Sequence, residues 1–302
     1  MPTEATVVTG PRAITLGDMG MRPRDSDLDF FGLTHRGRVR TENQDHFLVC
    51  TVHPQAVVHG SSLPSVDSLP LRGERLATIL LVADGVGSGA EGGEASELAV
   101  ATITRYVTST LRSYHAAGSA SDEEFLESLR AAALEAHAAV VAEAAHRPGT
   151  KMATTLTLAV AVWPWLYVTQ VGDSRCYRFW QGELTQITRD QTVAQNLVDQ
   201  GILPADRAEK SPFSHVLASA IGGGEATPVV SRIDIPTGCV VFLCSDGLTK
   251  HVSADEISRH IGTMESSEQL CRTLLELALE RGGSDNITII SARARVRDAG
   301  TS

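Results

Sequence analysis

Residues 80–96 read LLVADGVGSGAEGGEAS. The apolar run that leads into this stretch, residues 76–83, has the length and content of a buried strand, and it stops at a carboxylate, Asp84, followed by Gly85, Gly87, Gly89, Gly92 and Gly93. A helix-like segment follows at once. An ionised carboxylate at the end of a buried strand is costly unless a partner or a metal takes its charge, so Asp84 requires an explanation that a solvent-facing acid would not. The pattern recurs at residues 240–247, VVFLCSDG, where a second apolar run ends in Asp246-Gly247. Two strand-end Asp-Gly pairs point to one shared site.

The glycines after Asp84 also fit Gly87-x-Gly89-x-x-Gly92, a dinucleotide-binding spacing. Two features weigh against that reading. Asp84 would set a negative charge beside the pyrophosphate, and no Asp or Glu lies between Glu97 and Asp122, where the ribose-binding acid belongs roughly 20 residues on. No phosphate loop with a Gly-Lys-Ser/Thr ending, no HExxH and no GxSxG occurs.

Composition bounds the remaining readings. The 302 residues contain no apolar run of the ~18 residues that a transmembrane helix needs, so no membrane association is expected. The first residues lack a basic start followed by an apolar stretch, so no secretory signal is expected and the cytoplasm is the default. A formal charge of −10 removes the basic footprint of a nucleic-acid binder. Five cysteines, Cys50, Cys176, Cys239, Cys244 and Cys271, sit in apolar segments without metal-ligand spacing and read as reduced core thiols.

Working outward from Asp84, residues 1–27 mix Pro, Gly, Thr and charge and read as a flexible tail, and 297–302 as a second tail. Strands are expected at 29–34 and 46–52, with the polar loop HRGRVRTENQD (35–45) between them. Helical spacing of apolar residues predicts helices over 94–114 and 121–145, the second opening on the capping box Ser121-x-x-Glu124. From 153 to 179 the period changes to two, which predicts an antiparallel meander with its turn at Trp163-Pro164-Trp165. Residues 190–224 read as a mobile flap that begins with a short helix stopped by Gly201. Strands at 229–235, 239–245 and 286–294 and helices capped at Ser253 and Ser266 complete the chain. The fold class is α+β: a four-layer sandwich of two packed antiparallel sheets flanked by pairs of helices, over 28–296.

Asp84 and Asp246 end strands, whereas Asp45 and Asp285 precede them, and in an antiparallel sheet the end of one strand lies beside the start of its neighbour. Four carboxylates can thereby gather on one edge. Such a cluster repels itself unless cations neutralise it, and an all-oxygen set favours Mg²⁺ or Mn²⁺ over zinc. Two such ions roughly 3.5–4 Å apart hydrolyse phosphoesters in many enzymes. Taken singly, each Asp is as well explained as a helix or turn cap.

The motifs VRTENQD (39–45), ADGVG (83–87), MATTL (152–156), VGDSR (171–175), CSDGL (244–248) and SDNIT (284–288) occur in one order. Together they resemble the metal-dependent 2C-type protein serine/threonine phosphatases, over residues 29–294. The resemblance implies hydrolysis of phosphoserine and phosphothreonine in proteins by metal-activated water, opposite a Ser/Thr protein kinase, by a monomer. It implies that Asp84 bridges two Mn²⁺ or Mg²⁺ ions, that the Gly85 carbonyl, Asp246 and Asp285 complete the metal set, and that Asp45 serves as ligand or water holder. Arg40 takes the part of the arginine that grips substrate phosphate. Asp173 is expected to support the meander, with Ser174 near an additional metal.

Three departures from the pattern stand out. Gln44 replaces a frequent Glu, and Gly89 stands where bacterial relatives commonly carry a His. Residues 147–151, RPGTK, lack the acid that in many relatives binds a third ion. A phosphoprotein-binding module with little turnover is the alternative reading.

Overall fold

The computed structural model describes residues 21–295 apart from 56, 60, 63, 64, 66–68, 70, 88, 89, 118–120, 148, 209 and 210. Most of the expected 1–27 tail, all of the 297–302 tail, Gly89 and Pro148 therefore lie outside the described residues. In chain order the elements are β1 (Leu28–His35), β2 (Asp45–Val52), β3 (Ala77–Val86), α1 (Ala90–Ala117), α2 (Asp122–Ala145), β4 (Ala153–Thr154), β5 (Leu156–Val162), β6 (Trp165–Val171), β7 (Arg175–Trp180) and β8 (Glu183–Gln186). There follow α3 (Val193–Asp199), α4 (Ala205–Ala208), β9 (Val229–Asp234), β10 (Val240–Cys244), α5 (Asp246–Thr249), α6 (Ala254–Gly262), α7 (Ser267–Glu280) and β11 (Ile287–Ala294).

One sheet runs β1-β11-β10-β7-β8, the other β2-β3-β5-β6-β9, with β4 attached to β3. Every pairing is antiparallel. Because side chains alternate along a strand, β3 sends Ile79 and Leu81 into the core beneath α1 and α2, and Leu80 and Val82 into the core between the sheets. Strand β10 does the same on its side: Phe242 and Cys244 meet Ile257, Leu270 and Leu274 of α6 and α7, while Val241 and Leu243 face the other sheet. Burial on both faces is why these two strands read as continuous apolar runs rather than as alternation. Three apolar layers between four structural layers make the α+β sandwich.

Helix α1 buries Ala95, Ala99, Ile103, Val107 and Leu111, one residue per turn, against β3 and against Leu129, Ala133 and Ala136 of α2. Ser121 caps α2 reciprocally: its hydroxyl accepts from Glu124 N at 3.2 Å, and Glu124 accepts from Ser121 N at 2.9 Å. Ser253 and Glu256 repeat the device on α6, whereas Ser266 caps α7 through its hydroxyl alone, because Gln269 Oε1 turns to Glu265 N.

Four details differ from the sequence reading. Strand β3 continues through Asp84 to Val86, because β4 pairs with its end, and β2 begins at Asp45 itself. Helix α1 starts at Ala90 rather than at 94. The meander breaks: β5 and β6 form a hairpin whose last rung is Leu156↔Val171, after which Gly172, at φ +103°, turns the chain and residues 172–174 carry it into the other sheet, where β7 pairs with β10. Period-two alternation marks a strand without saying which sheet it joins. Finally, the 190–224 segment holds two short helices, is closed on itself by the bridge Thr192↔Leu217 and is tied to the body by the bridge Thr154↔Ile221.

Candidate active site

The first half of the site is built on the edge formed by β2 and β3. Asp45 and Asp84 are direct cross-strand partners. The backbone of Asp84 is clamped by the threonine pair: its N–H donates to Thr155 Oγ1 at 3.0 Å, and its carbonyl accepts from Thr155 N at 2.8 Å and Thr154 Oγ1 at 2.9 Å. Gly85 follows because nothing larger fits. A Cβ there would stand 2.3 Å from the Gly92 carbonyl oxygen, in the first turn of α1.

The second half comes from the other sheet. Asp246 opens the short helix α5 directly after β10, rather than hanging free at a strand end. Its Gly247 obeys the same rule as Gly85, since a Cβ would meet the Asn286 carbonyl oxygen at 1.8 Å. Asp285 precedes β11. Asn286 beside it pins the loop that carries Arg40, donating to the carbonyls of Arg36 and Glu42 and accepting from Gln44 N at 2.8 Å. Gln44 itself is buried, with its amide against Gly92.

The two halves are stitched together at Asp45. Its Oδ2 accepts from Ser245 Oγ at 2.8 Å and Thr288 Oγ1 at 2.7 Å, both from the opposite sheet. Its Oδ1 is buried and meets no donor among the described residues. Burial, opposed by those two hydroxyls and reinforced by the charge of Asp246, pushes the Asp45 carboxyl up to about 6. Asp84 is held well above the ordinary carboxylate range, by burial first and then by Asp45, Asp246, Asp173 and Asp285.

Two protein cations stand among these acids. Arg40 forks onto Asp285, Nε to Oδ1 at 2.7 Å and Nη2 to Oδ2 at 2.9 Å. Lys250 places Nζ 2.7 Å from Asp246 Oδ2 and 2.7 Å from Asp285 Oδ2. Burial would raise Asp285, yet the bonds from Arg40 and Lys250 outweigh it and hold that carboxyl below its ordinary value. As the side chains stand, no three acidic, histidine or cysteine groups among the described residues close around one point. The arrangement nevertheless suits hard divalent cations: an oxygen-only donor set, an orphaned buried carboxylate oxygen, and ammonium and guanidinium groups where positive charge is required.

Sequence reasoning under-weighted two residues. Asp173 does more than support strand packing: it faces the cluster, lines a cleft with Arg175, Asp190, His215, Asp246 and Lys250, and is pushed up to about 8 by burial, then by Asp246 and Asp190. Its place in the crossover between sheets carries it there. Lys250 carries a weaker signal, its four-residue spacing from Asp246 on a helical turn. Ser174 is engaged structurally, its hydroxyl 2.8 Å from Thr155 Oγ1. Arg147, in the acid-free RPGTK stretch, pairs with Glu94 and Glu143. A mainly apolar pocket at Phe30, Leu80, Trp163 and Val241 shares no residue with the carboxylate cluster.

The Protein phosphatase 2C family model matches residues 59–277. The chain belongs to the protein phosphatase 2C family. Among relatives in that family, the serine/threonine protein phosphatase PstP of Mycobacterium tuberculosis is 35% identical over 217 residues, 72% of this chain and 40% of that protein. The chain thus matches well under half the length of that mycobacterial relative. The serine/threonine phosphatase stp of Listeria welshimeri is 28% identical over 275 residues, 88% of this chain and 96% of the relative. The crystal structure of the M. tuberculosis phosphatase PstP/Ppp superposes with a TM-score of 0.71 at 28% identity, covering 89% of this chain and 99% of that one. A structure of the PstP catalytic domain in complex with two manganese ions gives a TM-score of 0.68 at the same identity and coverage. The two-sheet sandwich is thus a protein phosphatase 2C fold. No helix among the described residues is long and apolar enough to cross a membrane.

Proposed function

We propose that the chain is a metal-dependent phosphatase that hydrolyses phosphoserine and phosphothreonine in proteins. The observation that carries this reading is the convergence of Asp45, Asp84, Asp173, Asp246 and Asp285 with Arg40 where the two sheets meet. Bound there, two Mn²⁺ or Mg²⁺ ions supply charge to offset the carboxylates and the phosphate, and activate water for attack on phosphorus.

In this reading Asp84, the Gly85 carbonyl, Asp246 and Asp285 would hold the ions, with Asp84 as the central ligand. Asp45, fixed through Oδ2, offers Oδ1 to an ion or to water. Arg40, whose side chain is 47% exposed, leaves Asp285 to hold two oxygens of the incoming phosphate in its planar fork. The thiols of Cys50, Cys176, Cys239, Cys244 and Cys271 are all free, which supports action in a reducing cytoplasm. The partners of the reading are phosphoprotein substrates and a Ser/Thr protein kinase of the same signalling pathway, met by a monomer.

Steady-state hydrolysis of a phosphothreonine peptide tests it. Activity is expected with Mn²⁺, is expected to vanish after stripping with EDTA, and is expected to return on adding the metal back. Undiminished turnover in EDTA overturns the reading.

A further inference from the structure

Lys250 closes the single turn of α5, its N–H donating to the Asp246 carbonyl at 2.9 Å. That turn sets residue 250 over residue 246, and the side chain reaches across to the other strand end, so that Nζ lies 2.7 Å from both Asp246 Oδ2 and Asp285 Oδ2. The backbone brings these two carboxylates together, because β10 and β11 are antiparallel neighbours and Gly247 packs against Asn286. Asp246 comes from the end of β10 and Asp285 from the start of β11, and without a cation between them their charges repel.

We infer that Lys250 is a tethered competitor for one of the two divalent ions, holding the Asp246–Asp285 position until a metal displaces its ammonium group. The inference rests on the metal-dependent reading above. An ion placed against the Oδ2 atoms that now face Lys250 would bring two positive charges into contact, so the ammonium group has to move as the ion enters. Entry of the ion is therefore an exchange, and the affinity measured at this position is the intrinsic affinity reduced by the cost of evicting Lys250. The released ammonium has a destination. Asp173 lines the same cleft as Asp246 and Lys250 and lies within reach of the lysine's charge, whereas Asp190 is held there by Arg175, so the displaced ammonium swings toward Asp173 and into the open cleft. The consequence is a threshold: one metal position fills readily while the other fills only as free metal rises, and Lys250 sets the concentration at which it does.

The test is a Mn²⁺ titration of the full chain, read by electron paramagnetic resonance of the free ion, in wild type, Lys250→Met and Lys250→Gln. Both variants are expected to tighten the weaker Mn²⁺ site by about 10- to 100-fold, the range over which residues touching metal ligands act, and to leave the tighter site unchanged. A second measurement needs no variant: labelling of the Lys250 amine by an acylating reagent, read by mass spectrometry, is expected to rise when Mn²⁺ is added to wild type. Superimposable titrations of wild type and variants, or labelling that Mn²⁺ does not change, overturn the inference and leave the phosphatase reading standing. Failure of wild type and both variants to bind Mn²⁺ overturns both.

Discussion

Asp45 and Asp84 stand directly opposite each other on β2 and β3, while both cations of the site are bound elsewhere, to Asp246 and Asp285. In the absence of metal this pair is a source of repulsion inside the fold. Asp84→Asn removes the charge at almost constant volume. It is expected to lower phosphopeptide turnover on the order of 100-fold or more, the scale seen when one charge-stabilising group is removed from an active site. The melting temperature in EDTA is expected to stay level or rise, because the repelled carboxylate is gone. Melting curves with and without Mn²⁺ check the second half: the metal should raise the wild-type melting temperature and leave that of the variant nearly unmoved.

Arg40→Ala tests the phosphate grip. The side chain is half exposed, so losing its pair with Asp285 should cost no more than about 1 kcal/mol of stability. If Arg40 holds the phosphate equally in ground and transition states, KM rises about tenfold with kcat little changed. Arg40→Lys should recover only part of the loss, because an ammonium group cannot fork onto two oxygens. Unchanged kinetics in Arg40→Ala remove Arg40 from the site.

Thr288→Val takes one of the two hydroxyls away from the buried Asp45 carboxylate. A buried acceptor deprived of its donor costs about 1–3 kcal/mol, so the urea midpoint in EDTA should fall, and Thr288→Ser should restore most of it. A midpoint equal to wild type in Thr288→Val shows that Asp45 finds another donor.

The buried thiols give a pH prediction whose sign is fixed. Burial pushes Cys239, Cys244 and Cys271 up to about 12 from 9.0, and Cys176 higher still. A folded-state pKa raised above the unfolded value contributes stability that is present below about 9 and is lost as pH climbs toward 12. Melting temperature should therefore decline over that alkaline window. At pH 8 iodoacetamide should modify only the partly exposed Cys50 rapidly, and the other four after denaturation. Fast labelling of Cys244 in the native protein contradicts its burial.

Much of this architecture is legible because β3 and β10 are buried on both faces and each apolar run is closed by Asp-Gly. Continuous apolar runs, capping boxes and period-two segments are local signals, and they placed nearly every strand and long helix. What they could not convey was pairing across distance. In sequence the crossover at 172–174 looks like one more rung of a meander, which makes Asp173 look like scaffolding although it faces the acids. Lys250 was overlooked for a related reason. One lysine on a polar turn looks solvated until Asp285, 35 positions later, is seen to share its ammonium group.

The division of the acids between the sheets has a dynamic consequence. Asp45 and Asp84 ride on one sheet, Asp246 and Asp285 on the other, and the contacts of Asp45 with Ser245 and Thr288 hold the two in register at the rim. The site is therefore a property of their docking and of neither sheet alone. Any excursion that slides one sheet against the other dissolves the constellation while every strand is still hydrogen-bonded to its neighbours. During gradual denaturation, catalytic competence should accordingly disappear before β-structure does, and the interval between the two losses measures how far the halves can drift before they come apart.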